Sequence, residues 1–316
     1  MYYDVGIVKA FTSDNVLTLG NPAGIMIVPI MPDISTMQSI AVNVGQPMTA
    51  FVCPRSQKND GFDIRYYDLG GRECHICGHA TVAATSLLAQ LNPKINNNSI
   101  VFHLNPKCFN GKEKQLITRV ENNKISIDLF PSILRHEKDD VLLEAVASVL
   151  NISAIDIASV AFSTNIKDYV VGIKDHKVLL NMKPDFFAMK KMAESGSYQH
   201  EGMMVSSPAP EGGNYDLYVR AFLPITGVNE DIACGSCNCS IIPYWYDLNL
   251  NRNTRAYRTV FPFPEGPKGF VGGIQHVGYV PEQQKITITA QAEFDGYARV
   301  SPTVVRSSIG LRNFVL

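Results

Sequence analysis

The chain has 316 residues, of which 46% are hydrophobic and 18% are charged, and this composition is typical of a globular protein with one large or two ordinary domains. Lys and Arg total 28 against 29 for Asp and Glu, and no run of like charge occurs, so the sequence predicts neither nucleic acid nor a membrane as a partner. A small molecule is the expected partner.

The expected cellular compartment determines how the cysteines are interpreted, because disulfides are rare in cytoplasmic proteins. Asp4 and Lys9 lie where a signal peptide needs an apolar core, and no stretch of eighteen residues is apolar throughout, so we expect a cytoplasmic protein. Seven cysteines are an odd number for a disulfide framework. Metal binding and thiol catalysis are therefore the interpretations to weigh.

Alternating and helical segments interleave along the chain, and loop-forming residues separate some of them. Ser35 and Gln38 have the spacing of a capping box, which we expect at the start of the first helix. The predicted elements are, in chain order, strand 4–11, helix 34–45, helix 78–91, loop 92–98, strand 124–130, helix 139–151, loop 206–214, loop 262–273 and strand 285–294. The fold class is α+β.

Two distant stretches of the sequence have the same order of residue types. "RYYDLGGRECHICGHAT" (65–81) and "RAFLPITGVNEDIACGS" (220–236) each run from Arg through an aromatic strand and a glycine loop to Glu, three further residues and Cys-Gly. This order predicts two related halves, each with a Cys-Gly pair between a strand and a helix. If the halves face each other, Cys77 and Cys234 meet across a cleft.

A thiol at the start of a helix has a chemical use. The helix dipole and unpaired N–H groups lower a thiol pKa from about 8.5 towards neutrality, so one Cys can be a thiolate and the other a thiol. The N–H groups that follow each Cys, at Gly78 and His79 and at Gly235 and Ser236, can hold a substrate carboxylate. An α-carbon between such a base and acid is inverted without a cofactor or a metal.

Four ordered stretches, residues 11–28, 37–52, 77–84 and 229–236, resemble the phenazine-biosynthesis-type isomerase family of the diaminopimelate epimerase fold. The resemblance implies two similar domains, each a β-sheet or barrel wrapped around a central helix, with the active site between them and often a homodimer. The expected domains are residues 1–130 and 131–297. A final strand, at about 298–316, is expected to return to the first.

The chain departs from this family at two positions. Met48 stands where those isomerases usually have a proton-shuttling Glu, and Cys234 stands where they usually have Thr. The stretch around Cys234 is similar to the "ACGT" of diaminopimelate epimerases, and Cys77 occupies the place of the first catalytic Cys of epimerases and proline racemases. We therefore expect a two-thiol racemase or epimerase acting on a small amino acid or related carboxylate.

The resemblance also implies substrate contacts for Asn21, His79 and Asp231. Each has a structural alternative, because Asn-Pro and Gly form turns, a His in a first helical turn can bond to a loop, and an Asp before a helix is an ordinary cap.

Three other functions stay open. A phenazine-type isomerase can work through Asp231 and His79, and a binding protein can retain the cleft without turnover, given Met48. Two CxxC pairs can in principle form a zinc site, although they lie much further apart in the sequence than those of a zinc ribbon. We expect Cys74, Cys237 and Cys239 to be packing residues.

Overall fold

The computed structural model describes residues 2–55, 60–95, 98–196, 198–248 and 255–301. It confirms the α+β class, with two similar halves in which strands surround a central helix. The elements of the first half are β1 (Tyr3–Thr12), β2 (Asn21–Ile27), α1 (Ile34–Val44), β3 (Met48–Pro54), β4 (Phe62–Asp68), β5 (Glu73–Cys74), α2 (Gly78–Leu91), β6 (Ser99–His103), β7 (Gln115–Glu121) and β8 (Lys124–Leu129). The next strand, β9 (Leu134–Glu137), pairs with a strand of the second half.

The second half continues with a similar order. Its elements are α3 (Asp140–Leu150), β10 (Ile157–Ser163), β11 (Asp168–Ile173), α4 (His176–Asn181), α5 (Phe186–Glu194), β12 (Gly202–Pro208), β13 (Leu217–Leu223), β14 (Val228–Asp231), α6 (Asn238–Asp247), β15 (Ala256–Phe261), β16 (Gly273–Val280) and β17 (Lys285–Val300).

Strand pairing repeats between the halves. β2 runs parallel to β3 as β11 does to β12, and β4 runs parallel to β6 as β13 does to β15. In the antiparallel pairs β4–β5 and β13–β14, Tyr66 lies opposite Cys74 and Ala221 lies opposite Asp231. Cys74 and Asp231 are therefore equivalent positions, and so are Cys77 and Cys234, which follow three residues later.

β17 joins the two halves. Its first residues pair with β16 and with β8, from Ile286 opposite Leu129, and its later residues pair with β1 up to Val300 opposite Tyr3. Residues 298–300 of the expected returning strand thus lie beside β1, and residues 302–316 lie outside the described residues. The domain boundaries at 130 and 297 stay a prediction.

The central helices are buried almost completely. Twelve of the fourteen residues of α2 are buried, and most are Ala, Gly, Thr or Ser, whose small side chains let the surrounding strands approach closely. One apolar cluster extends through both halves and contains both Cys77 and Cys234. Within the described residues, no helix combines the length and apolarity needed to cross a bilayer.

The local predictions were correct for all three strands and all three helices, apart from their ends. The capping box was wrong, because Asp33 caps α1 by accepting from Thr36 N–H, and Ser35 donates to Asp33. The loop predicted at 206–214 was also wrong at its start, because residues 206–208 pair with β13 as part of β12.

Candidate functional site

Cys77 lies at the N-cap position of α2, as expected. Its backbone is extended, its side chain is 7% exposed, and its Sγ lies 3.4 Å from Nδ1 of His79. The carbonyl of Cys77 accepts from the Thr81 hydroxyl at 2.6 Å, and that hydroxyl also bonds to the Tyr66 hydroxyl. These bonds fix the first turn of α2 beneath the thiol.

Cys234 lies in a turn between β14 and α6, so the expectation that it begins a helix was wrong: the helix starts at Asn238. The intervening turn is closed by the bond from Asn238 N–H to Gly235 O. Cys234 is 6% exposed, and its Sγ lies 3.4 Å from the Ser236 hydroxyl. Its carbonyl accepts from the Cys237 thiol.

The two Cys-Gly pairs meet at the interface of the halves. A Cβ atom on Gly78 would lie 3.7 Å from both Gly235 Cα and Ser236 N, and one on Gly235 would lie 3.8 Å from Gly78 Cα. The two backbones thus face each other with room for about one methyl group between them. Both cysteines are buried and free of disulfides.

Asp231 is held by a residue from the other half. The Asn21 amide donates to Asp231 Oδ1 at 2.7 Å and to the Ala233 carbonyl at 2.9 Å, and Ala233 N–H donates to the same Oδ1 at 3.1 Å. Asn21 is 1% exposed. Its amide N–H groups are therefore committed to holding Asp231, whereas the sequence analysis assigned Asn21 to the substrate.

Burial dominates the electrostatics of the site. It raises the pKa of Cys77 well above its usual value, against a smaller lowering by the Ala80 backbone N–H, so the expected lowered thiol pKa was wrong for Cys77. Burial also lowers the pKa of His79 to about 4, which leaves the imidazole neutral at pH 7.

Asp231 keeps a partly exposed edge, but the surrounding protein removes most solvent from its carboxyl group. This desolvation raises the pKa of Asp231 to about 6, although hydrogen bonds from Ala233, Cys234 and Asn21 oppose the rise. A carboxyl group with this pKa exchanges a proton near neutral pH.

Met48 and the remaining cysteines play other parts. Met48 begins β3, is half-buried and packs against the main apolar cluster. Cys237 and Cys239 are buried in that cluster, and burial raises the pKa of Cys74 to about 11. Across the described ranges, no three His, Cys, Asp or Glu side chains are grouped as metal ligands.

The sequence analysis missed Phe11. Its backbone has a φ of 66°, which is uncommon for an aromatic residue, and its ring reaches Gly235, where an added Cβ would lie 2.8 Å from Phe11 Cζ. It packs directly against the Cys234 turn. A positive φ at a non-glycine residue leaves no signal in a single sequence.

A strap of two loops, residues 17–20 and 271–272, also escaped the sequence analysis. Leu19 N–H donates to Val271 O and Gly20 N–H donates to Gly272 O, both at 2.9 Å. Gly272 lies so close to Ile232 that an added Cβ would be 1.9 Å from its carbonyl oxygen. The strap thereby joins the segment before Asn21 to the segment before Cys234.

Known proteins are similar to this chain in sequence or in fold. The profile of the family described as phenazine biosynthesis-like protein (PhzC-PhzF) matches residues 8–265. An uncharacterized isomerase of Halalkalibacterium halodurans is 29% identical over 247 residues, covering 78% of this chain and 83% of that protein.

Solved structures show the fold alone, because their sequence identity is low. A PhzF-family phenazine biosynthesis protein of Enterococcus faecalis has a TM-score of 0.75 at 22% identity, covering 95% of this chain and 100% of that one. A hydroxyproline epimerase of Agrobacterium vitis with bound trans-4-hydroxy-L-proline has a TM-score of 0.57 at 10% identity, covering 95% and 91%.

Proposed function

Because the chain belongs to the phenazine biosynthesis-like protein family, we propose that it is an isomerase without a cofactor, and more narrowly a racemase or epimerase. It inverts the α-carbon of a small amino acid or related carboxylate. Cys77 and Cys234 act on opposite faces of that carbon as acid and base.

The close approach of the two Cys-Gly pairs carries this proposal. The backbones of Gly78 and Gly235 face each other, with room for about one methyl group between them, and a free, buried thiol precedes each glycine. This approach supports two proton carriers that act on one substrate at the interface. A hydroxyproline epimerase shares the fold, which supports the reaction class.

The surroundings give each thiol a role. Cys77, with its raised pKa, is a protonated thiol at neutral pH and can donate to a carbanion. Asp231, three residues before Cys234, has a pKa of about 6 and serves as the proton acceptor on the Cys234 side of the substrate. His79 stays neutral beside Cys77 and can accept or donate a hydrogen bond.

The substrate carboxylate is held by backbone N–H groups. The first N–H groups of a helix have no partner within the helix and attract anions. Gly78 and His79 open α2 and supply such groups, and the backbone of Gly235 and Ser236, which lies in a turn and not in a helix, faces them. A carboxylate bound there places the neighbouring α-carbon near both thiols.

One observation favours a second candidate, a phenazine-type isomerase that works through Asp231 and His79. The pKa of Asp231, at about 6, suits a group that removes and returns a proton near neutral pH. In that reaction the proton moves between two positions of the substrate, and the α-carbon is not inverted.

Incubation in D₂O with a panel of amino acids and related carboxylates separates the candidates. Deuterium at the α-carbon together with loss of optical rotation supports the racemase. Rearrangement of a substrate without loss of optical rotation supports the phenazine-type reaction. Saturable binding without exchange contradicts both and identifies a binding protein.

A further inference from the structure

A groove lies on the flank of the first half, where β17 leaves β8 and joins β1. β17 pairs with β8 up to Ala290 and with β1 from Gln291 onwards, and the strands separate at this point. The resulting cavity has a volume of about 520 Å³ and reaches the second half of α2. No residue of the thiol site lines it.

A smaller recess of about 30 Å³ adjoins this cavity and extends it. The two share Thr12, Ser13 and Gln291 in their walls and so form one groove. Its floor contains the buried apolar residues Ala89 and Ile125. Polar groups make up most of the remaining wall, and the volume lies within the range of about 300 to 1,000 Å³ that small-molecule sites measure.

Charges of opposite sign line the two parts of the groove. Asp14 and Glu293 lie in the larger part, and Lys124 lies in the recess. His276 lies beside Lys124, and burial together with the charges of Arg258 and Lys124 lowers its pKa, so its imidazole is a neutral hydrogen-bonding group. In the portion of the chain that the structure describes, neither Glu293 nor Lys124 forms an ion pair. Asp14 is oriented by Gln291, which donates to its carboxylate and accepts from its backbone N–H.

We propose that this groove binds a small zwitterion. Its ammonium group lies at Asp14 and Glu293, its carboxylate lies at Lys124 and His276, and its carbon chain covers the apolar floor. Two unpaired charges that face one groove are both satisfied by such a ligand, whereas a simple cation or anion satisfies one of them. The proposal does not depend on the reaction proposed above.

Calorimetry with amino acids that lack a chiral α-carbon tests the proposal. The probes are glycine, β-alanine, 4-aminobutanoate and 6-aminohexanoate, which differ in the distance between their charges and cannot be racemised. The protein carries Cys77→Ser and Cys234→Ser, so turnover contributes nothing to the signal. We expect saturable binding of at least one probe, and binding at least tenfold weaker for methylammonium or acetate alone.

Variants locate the bound probe. Lys124→Gln and Glu293→Gln should each weaken binding at least tenfold, and Ala89→Met should abolish it by filling the floor. The controls Lys112→Gln and Glu211→Gln alter exposed residues outside the groove and should bind as the parent does. The proposal fails if no probe binds at millimolar concentration, or if the two groove charge variants bind as tightly as the controls.

Discussion

Cys77 and Cys234 occupy equivalent positions, yet their neighbours differ. Cys77 lies beside His79 and Cys234 lies beside Ser236, at 3.4 Å in both cases. In addition, Asp231 takes the place that Cys74 has in the first half, so a carboxylate is present on one side only. In the proposed reaction, the two faces of a substrate therefore meet different proton carriers.

Serine substitutions test the thiol pair. Cys77→Ser and Cys234→Ser should each lower the rate of inversion in both directions by a factor of about 10² to 10⁴, because one acid or base is lost. Each variant should still exchange the α-proton of the one isomer that presents it to the remaining thiol, with retention of configuration. Mass spectrometry in D₂O and optical rotation measure the two effects.

The matched controls are Cys74→Ser, Cys237→Ser and Cys239→Ser, which should keep rates within a few-fold. If Cys234→Ser inverts its substrate as fast as the parent, the two-thiol mechanism is wrong. The isomerase that uses Asp231 and His79 then becomes the leading candidate.

Asp168 gives a prediction about stability. It is 4% exposed, its Oδ1 has no hydrogen-bond partner among the described residues, and burial raises its pKa to about 7. The folded protein thus holds a proton that the unfolded chain releases near pH 4, so stability falls as pH rises from about 4 to about 7. A pKa change of this size corresponds to roughly 4 kcal/mol at pH 8.

Asp168→Asn should remove the loss of folding stability that Asp168 causes between about pH 4 and pH 7. We expect urea denaturation to show the variant stabilised at pH 8 and little changed at pH 4. Asp128→Asn is the opposite control, because hydrogen bonds from Arg119 and Thr287 outweigh burial and lower the pKa of Asp128. An Asp168→Asn variant that loses stability equally at both pH values would contradict the assignment.

At the scale of elements, the strap of residues 17–20 and 271–272 depends on the close approach of Gly272 to the Ile232 carbonyl. Gly272→Ala places a Cβ against the Ile232 carbonyl, so the loop must move and the bonds to Leu19 and Gly20 are lost. Overpacking of this kind typically costs about 1 to 3 kcal/mol. We expect lower thermal stability and reduced activity.

Gly196→Ala is the matched control, because no atom lies within 4 Å of its added Cβ. Thermal denaturation and the isomerase assay are run on both variants. Equal stability of the two variants would show that the strap tolerates a side chain at Gly272.

Local periodicity was enough to predict the elements that bury one face, such as β1 and α3. It failed at 206–208, where Ser-Ser-Pro suggests a loop. All three residues pair with β13, and Ser206 also pairs with β11, so the segment stays extended. Strand pairing between distant segments overrides local preference.

The site was partly predictable for the same reason. The shared order of residue types located both thiols, because the two halves repeat it in the sequence. The pKa of Cys77 was wrong in sign, since a helix N-terminus is visible in sequence whereas burial is not. The contact of Phe11 with Gly235 and the hydrogen bond from Asn21 to Asp231 both join the two halves. The sequence around Phe11 or Asn21 does not reveal such contacts.

At the scale of the whole molecule, β17 makes the halves depend on each other. Residues 1–130 alone would leave β1 and β8 without the strand that lies between them. We expect this fragment to lack a cooperative thermal transition and dispersed amide resonances, and co-expression with residues 131–316 to restore both. A fragment that folds alone would contradict this dependence. The homodimer stays a prediction that sedimentation can test.

The pairing of β1 with β17 also sets the order of events during synthesis. Asp4 and Arg299 bond across this pair although 295 residues separate them. While the ribosome makes the second half, the edge of β1 that pairs with β17 therefore stays unpaired. Unpaired strand edges can pair with strands of other molecules, which leads to aggregation. Such distant pairing also slows folding. We expect the nascent chain to need protection at β1 until the last strand emerges.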